Sequence, residues 1–397
     1  MKPATNSEVA EARVPGRRPT AMELFRYFLR LGAAGFGGPI ALVGYMEREF
    51  VEQRRWVSRE ELNDGIAFSQ LAPGPLAAQV AIYLGWLCAG ARGATASGIA
   101  FVGPSFVMVV ILAWSYQRFG GMSWLQGAFY GIGAAVIAIV ARSAIKLTRT
   151  TLGRDRLLWV LFVISATITA WREAELVWLF LLCGVITLIM RGQFGRGGVV
   201  APVFLFSHRV AAPTALASAA SAATVGTVFV YFASAGLFVF GSGLAIVPFL
   251  HEGVVREYGW LTERQFLDAV AVALITPGPV VITVAFIGYL VAGIAGAIAA
   301  AAGVFAPVYL LTIVLAPQYH RFKSDPRVRA FIDGVTAAAT GAIAGAAVVL
   351  GRRALVDVTT IAIAMGALLL ISRARRVPEP VVMLAAGVVG VVARGTN

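Results

Sequence analysis

The sequence SQLAPGP at residues 69–75 places two prolines and a glycine inside an apolar stretch, and it returns as ALITPGP at residues 273–279. Proline removes a backbone hydrogen-bond donor and clashes with the preceding helical turn. In a lipid bilayer no water pairs with the freed carbonyl groups, so broken backbone persists only where protein buries it or where it lines a polar cavity. Two such breaks at matched positions predict a membrane protein with a central site.

The repetition extends along most of the chain. A shift of 204 residues superimposes matched residues in order: Trp56 on Trp260, Asp64 on Asp268 and, after a one-residue slip, Pro104 on Pro307. We therefore divide the chain into an N-terminal tail at 1–23, a first transmembrane repeat at 24–195, a linker at 196–227 that holds the start of a connecting helix, and a second transmembrane repeat at 228–397. Ser58 and Thr262, each just before a helical stretch, are predicted to be N-caps.

Composition agrees with a membrane protein. Of the 397 residues, 59% are hydrophobic and 13% are charged, and that charged share is about half the share in an ordinary soluble domain. The 43 glycines crowd the apolar runs, where small residues let helices approach closely. We predict an all-α integral membrane protein whose main partner is the lipid bilayer.

The net charge of +13 is interpreted as cytoplasmic loops, because the basic residues stand between apolar runs, and nucleic acid is not an expected partner. Residues 1–22 are polar and lack an apolar core, which predicts a cytoplasmic N-terminus in the cell (inner) membrane rather than a signal peptide. The two cysteines lie inside apolar runs and there are only three histidines, so we expect no metal site, no cofactor and no disulfide.

Loop charges predict the relative orientation of the repeats. The loop at 146–156 carries four basic residues and the equivalent loop near Arg352 carries two, whereas the loop at Arg118 carries one and its equivalent at 321–329 carries four. The positive-inside rule then places equivalent loops on opposite sides, so the repeats are inverted in topology. The linker must contribute an odd number of crossings, with 213–238 as the candidate. Whether the broken segments cross the bilayer or re-enter it stays open.

The breaks are predicted to bind an anion. Each restarts a helix, and a helix start presents free N–H groups at the positive end of the helix dipole. Each repeat has two breaks, so up to four starts could face the midplane without any buried Lys or Arg. The candidate substrate-binding residues of the breaks are Gly37, Gly38, Pro39, Pro73, Gly74, Pro75, Gly241, Ser242, Gly243, Pro277, Gly278 and Pro279.

Neutral polar side chains flank the Pro-Gly-Pro breaks and join the candidate site: Ser69, Gln70, Gln79, Thr276 and Thr283. The alternative is that the breaks are only kinks, with these side chains bonding the freed carbonyl groups.

Four charged residues are weaker candidates for the mouth of the site or for ion coupling. Glu47 and Arg48 lie in a charged loop that is mostly solvated and internally paired. Asp64 and Asp268 occupy matched positions before the breaks, where stabilisation of a helix start is at least as good an interpretation as proton coupling.

The motifs resemble the chromate transporter family, in its long-chain type with two homologous halves. The residues that carry the resemblance run in order through both halves: Phe36-Gly37-Gly38-Pro39, Arg54-Arg55-Trp56-Val57-Ser58, Gln70-Leu71-Ala72-Pro73-Gly74-Pro75, Trp260-Leu261-Thr262 and Thr276-Pro277-Gly278-Pro279. The resemblance covers nearly all of the chain past residue 23. It departs at Leu42, where the family often has His, and at Leu274, where it often has Gln.

The resemblance implies a carrier that exports chromate, a small tetrahedral oxyanion. Sulfate or another oxyanion, an anion channel, and a membrane-embedded enzyme are the alternatives. The enzyme is the weakest, because the apolar runs contain no HExxH motif, acidic pair or Ser/His/Asp set. Whether the chain forms a homodimer stays open.

The topology is testable by labelling cysteines placed in loops. We expect cysteines at positions 150 and 325 to be protected from a membrane-impermeant reagent outside the cell, because these loops carry the basic excess, and a cysteine at position 118 to react. Reaction at 150 and 325 with protection at 118 would show that the orientation proposed for the inverted repeats is wrong.

Overall fold

The computed structural model describes residues 17–36, 38–172, 177–192, 220–237, 246–319, 325–373 and 378–395. Within these ranges the chain forms fourteen α-helices and no β-strand, as the predicted all-α class requires. The first seven are α1 Ala21–Ala34, α2 Gly38–Glu47, α3 Arg59–Leu71, α4 Leu76–Phe119, α5 Ser123–Leu152, α6 Arg156–Arg172 and α7 Val177–Met190. The next seven are α8 Ala220–Leu237, α9 Ile246–His251, α10 Glu263–Ile275, α11 Thr283–Leu315, α12 Pro326–Ala354, α13 Val358–Arg373 and α14 Glu379–Gly395.

Each helix of the first half has a counterpart seven helices later. A π-helical turn follows both α2, at Arg48–Gln53, and α9, at Glu252–Glu257. Helix α8 begins inside the segment assigned to the linker, and the part of the expected 213–238 crossing that precedes Ala220 lies outside the described residues.

The predicted N-caps are present. The Ser58 hydroxyl accepts a hydrogen bond from the Glu61 N–H, and the Glu61 carboxylate accepts one from the Ser58 N–H. Thr262 and Gln265 make the same reciprocal pair at α10. These capping boxes satisfy orphan donors at the two helix starts.

In the part of the chain that the structure describes, four helical stretches have the length and the hydropathy to cross a bilayer: Leu76–Phe119, Ser123–Arg149, Val280–Gln318 and Pro326–Ala354. Large apolar side chains on two of them face outward one turn apart, namely Val107 and Ile111 on α4 and Leu310 and Val314 on α11. A soluble protein rarely exposes such a band, whereas lipid covers it without penalty.

The final helices of each half pack against the other half. Gly131 of α5 lies so close to the carbonyl oxygen of Ala386 in α14 that a β-carbon there would collide with it, and Gly334 of α12 meets the carbonyl of Cys183 in α7 in the same way. Helices α6 and α7 therefore pack on α12, while α13 and α14 pack on α5. Because each contact has a mate in the other half, the interface between the halves is reciprocal.

An ion-pair network joins the two halves at one end of this interface. The Arg191 guanidinium, at the end of α7, donates to Asp155 before α6 and to Asp333 of α12, at 2.6 Å each. The hydrogen bond from Arg191 lowers the pKa of the Asp155 carboxyl below its ordinary value, and the N–H groups of Leu157 and Leu158 act in the same direction. The loop between α5 and α6 is thereby fixed to both halves.

The close packing of α5 on α14 predicts a position-specific cost. Gly131→Ala should destabilise the purified protein by about 1–3 kcal/mol, because the new methyl group overpacks the interface. Gly133→Ala is the matched control, since a β-carbon there has nothing within 4 Å, and it should be neutral or slightly stabilising. The measurement is the thermal unfolding temperature in detergent. Equal changes in the two variants would contradict the packing assignment.

Candidate functional site

The chain reverses direction at the first Pro-Gly-Pro break. Helix α3 ends at Leu71, Gly74 adopts a φ of 141°, and α4 begins at Leu76. The two arms run antiparallel, because the Phe68 ring stacks on the Tyr83 ring with centroids 5.4 Å apart. The second break, at Gly278 with a φ of 97°, passes through a short 3-10 turn before α11 begins.

A second reversal follows each break inside a continuous helical stretch. Ala89 and Gly90 leave helical geometry within α4, and Gly85 and Gly93 on either side of them touch through their backbones. Helix α11 repeats this at Ala292 and Gly293 with dihedral angles that agree within about 4°. Each Pro-Gly-Pro break is therefore the tip of a helical hairpin.

Helices α1 and α2 form another hairpin. Arg18, just before α1, donates to the Trp56 carbonyl at 3.1 Å and to the Glu61 carboxylate at 2.6 Å, beyond the end of α2. The start of α1 and the segment after α2 thus lie together, so the chain reverses between the end of α1 and the start of α2.

Tips from different repeats meet in the centre. The Gly278 N–H donates to the Gly35 carbonyl at 2.9 Å. Ser105 of α4, whose hydroxyl donates to the Gly32 carbonyl of its own repeat at 3.2 Å, lies directly against Gly278. A small cavity lies where these tips adjoin the first Pro-Gly-Pro break. Its lining comes from both repeats: Pro39, Leu42, Pro75, Leu76, Ala77, Gly278, Pro279, Val280 and Val281. None of these side chains is charged.

The two helix starts at this cavity carry no side-chain cap. Pro75 precedes α4 and Pro279 precedes the 3-10 turn, and neither has a side chain that caps the following N–H groups. The starts of α1, α3 and α10 carry capping boxes instead, whereas α5 begins after the exposed Met122 without a side-chain cap. The interior starts therefore keep N–H groups that can donate to a ligand, and their dipoles favour negative charge.

The neutral polar side chains near the breaks mostly bond the backbone. The Ser69, Thr276 and Thr283 hydroxyls donate to carbonyls three or four residues earlier, those of Gly65, Ala273 and Val280. This is the arrangement expected if these residues stabilise the breaks rather than contact the anion. Gln70 differs, because its side chain is exposed at the end of α3.

Gln79 of α4 makes hydrogen bonds to the backbone of the first break. Its Nε2 donates to the Pro73 carbonyl at 2.7 Å and to the Ala72 carbonyl at 3.3 Å. The residue is fully buried, and within the described part of the chain its Oε1 accepts no hydrogen bond. Gln79 therefore compensates for the N–H groups that the prolines lack.

Several candidates fall outside the cavity or outside the described residues. Gly37, Gly241, Ser242 and Gly243 belong to the second group. Gly38 begins α2 with a φ of 75°. The predicted charged loop is wrong at Glu47 and Arg48, because Glu47 ends α2 and Arg48 begins the π-helical turn. Glu47 pairs with Arg59 at 2.6 Å and Arg48 is exposed, and neither lines the cavity.

Asp64 and Asp268 lie beyond the first turn of their helices, so neither stabilises a helix start directly. Asp268 is 4% exposed and accepts a hydrogen bond from Tyr116 of the other repeat. Asp64 is half-buried and interacts electrostatically with Tyr83 and Tyr319.

Sequence reasoning missed Gly35, Ser105 and Tyr116. Each acts through a contact with the other repeat. The shift of about 204 residues aligns positions within the two repeats, but it carries no information on which positions meet across them.

Long apolar helices, a duplicated pattern of interior hairpins and an uncharged central cavity define a membrane-embedded transport protein rather than an enzyme. The chain belongs to the chromate transporter family, which it matches twice, over residues 22–188 and 226–391.

Relatives match over most of their length. The chain is 49% identical to the chromate transport protein of Cupriavidus metallidurans, over 94% of this chain and 93% of that protein. It is 49% identical to the probable chromate transport protein of Synechococcus elongatus, over 93% and 95%. It is 31% identical to the chromate transport protein of Pseudomonas aeruginosa, over 93% and 91%. No solved structure matches the chain.

Proposed function

We propose that this protein exports chromate across the cell (inner) membrane and that the anion binds at the uncapped helix starts around the central cavity. The single observation that carries the binding site is that the two helix starts at the cavity, after Pro75 and Pro279, have no side-chain cap. The names of the relatives support chromate as the substrate.

Inverted topology is supported by the direction of equivalent helices. The Thr95 and Tyr309 hydroxyls lie 2.7 Å apart, so the early part of the α4 arm after the turn meets the late part of α11. Ile137 of α5 likewise lies against Gly351 near the end of α12. Equivalent helices that lie side by side and run antiparallel are related by a two-fold axis perpendicular to the helices, as in inverted-repeat transporters.

The hairpins are proposed to re-enter the bilayer rather than cross it. Helix α1 has 14 residues, or about 21 Å at 1.5 Å per residue, which is short of the roughly 30 Å hydrocarbon core. The contact of Arg18 with Glu61 brings both ends of the first hairpin to one side. With the N-terminus cytoplasmic, the first-repeat hairpins enter from the cytoplasm and those of the second from outside.

Backbone N–H groups suit a tetrahedral dianion. They point outward from the helix starts at Leu76 and Val280, while prolines hold the preceding residues extended. The apolar walls exclude water, which strengthens the attraction between these dipoles and the anion. Binding then needs no buried lysine or arginine whose charge would hold the anion too tightly for release.

The membrane potential favours export. With the cell interior negative, each elementary charge contributes about 2.3 kcal/mol per 100 mV, so a departing dianion gains roughly twice that. A carrier is favoured over a channel because the Gly278–Gly35 contact brings two hairpin tips together in the centre. Sulfate is a second candidate substrate, since backbone N–H groups alone do not distinguish tetrahedral dianions.

The test is radiolabelled chromate flux into inverted vesicles that contain the protein. We expect saturable uptake by the wild type and its loss in Gly74→Leu and in Gly278→Leu, because both glycines have φ values that disfavour other residues. A β-carbon would also come within 2.8 Å of Val308 at position 74 and would collide with Ser105 at position 278.

Gly103→Leu is the matched control, since a β-carbon there has nothing within 4 Å. Membrane levels of all variants are measured by immunoblot. Near-normal flux in both break variants would show that the breaks are kinks, and no chromate flux in the wild type would defeat the proposed function.

Gln70 is the exposed amide nearest the first break, and its second-repeat counterpart is Leu274. If Gln70 donates to the anion, Gln70→Ala should lower chromate transport by roughly tenfold or more, because a hydrogen bond to a charged group contributes about 1.5–3 kcal/mol. The ratio of chromate to sulfate flux should also change, since the lost contact is directional. Small and equal losses for both anions would place selectivity elsewhere.

A further inference from the structure

Among the hydrogen bonds that join the two repeats away from the cavity, one reaches a buried carboxylate. The Tyr116 hydroxyl, near the end of α4, donates to Asp268 Oδ2 of α10 at 2.7 Å. Asp268 is 4% exposed, and within the described residues the other charged group that acts on it is Arg264, about one turn earlier on α10. A buried carboxylate inside a membrane domain is expensive and points to function.

Aromatic rings from both repeats enclose this bond. The Tyr116 ring packs edge-on against Phe129 of α5, with centroids 5.3 Å apart, and against Phe286 of α11, with centroids 5.4 Å apart. The bond and the ring contacts therefore join α4 and α5 of the first repeat to α10 and α11 of the second at this end of the interface.

The other end has equivalent residues. The repeat shift relates Asp268 to Asp64 and Tyr116 to Tyr319. The Tyr319 ring packs edge-on against Phe68 of α3, about one turn after Asp64, with centroids 5.7 Å apart. Asp64 also acts electrostatically on Tyr319, so a carboxylate of one repeat again lies near a tyrosine of the other. Tyr83 takes the place of Phe286 and adds a second hydroxyl near the carboxylate.

The two ends differ in burial. In α10 every residue from Phe266 to Leu274 except Leu267 is buried. Helix α3 instead leaves Asn63 and Gln70 exposed and Asp64 half-buried. Tyr319 is 5% exposed and Tyr116 is half-buried, so the ends differ in their carboxylates. Asp268 is buried and Asp64 is half-buried, as in a carrier that is closed on one side.

We propose that Tyr116 and Asp268 form the gate at one mouth of the transport path and that Tyr319 and Asp64 form the gate at the other. The two gates open in turn, and this structure has the Tyr116 gate closed. The proposal rests on the carrier function proposed above. In the orientation given there, the Tyr116 gate faces outside and the Tyr319 gate faces the cytoplasm.

The position of the bond suits a gate. Asp268 precedes Thr276 by about two helical turns, or roughly 12 Å along α10, so the bond lies between the membrane surface and the cavity. Opening this mouth separates the α10 hairpin from α4 and breaks the bond. The carboxylate then exchanges the Tyr116 hydroxyl for water, which makes the opening reversible.

The experiment measures access to the cavity from each side. The chain has two cysteines, so Cys88→Ala and Cys183→Ala leave Ala77→Cys, a cavity-lining position, as the single probe. A membrane-impermeant maleimide labels it from outside in spheroplasts and from the cytoplasmic face in inverted vesicles. Tyr116→Phe should raise the outside labelling rate about tenfold, as expected for loss of one hydrogen bond to a charged group. Tyr319→Phe should raise the cytoplasmic rate instead.

Tyr130→Phe is the matched control. It removes a tyrosine–aspartate bond of similar length, from Tyr130 to Asp357, at an exposed site, and it should leave both rates unchanged. Wild-type labelling in Tyr116→Phe, or an equal rise from both sides, would overturn the proposal. If Tyr116→Phe does not accumulate, Asp268→Asn is measured in the same way. Labelling does not depend on the substrate, so absence of chromate flux would defeat the proposed function while leaving the gates testable.

Discussion

The hydrogen bond from the Gly278 N–H to the Gly35 carbonyl joins two chain breaks that belong to different repeats. Backbone groups released by a break in the bilayer have no water partner, so each break needs protein around it. A single repeat cannot enclose its own tips. The second repeat supplies the missing surface, and the central position of the breaks, the reciprocal packing and the enclosed cavity all depend on that exchange.

Much of the architecture could be predicted from local sequence. Ser58 and Thr262 are N-caps because the residues that complete their capping boxes lie three positions later. The apolar runs form helices because hydropathy and length suffice in a bilayer. The reversal at Ala89 and Gly90 was not predicted. It contains no proline and depends on the contact between Gly85 and Gly93, which sequence spacing alone does not indicate.

The candidate site was predicted as a region rather than as a set of contacts. Ser69, Thr276 and Thr283 bond the backbone of their own segments, and Gln79 bonds the carbonyls at the first break. These side chains stabilise one conformation of the break, and they leave the N–H groups of the following helix start available as donors. Cross-repeat partners such as Ser105 stayed hidden, because a repeat shift aligns equivalent residues and not neighbours.

The packing of α6 and α7 on α12 has a consequence for biosynthesis. These two helices leave the ribosome well before the helix against which Gly184 meets Phe331. Until α12 is inserted, their small-residue faces contact only lipid or insertion machinery. The first half of the chain therefore cannot complete its packing before the second half is inserted. A pause or truncation between the halves would yield a membrane-inserted but unassembled protein, which is a natural substrate for quality-control proteolysis.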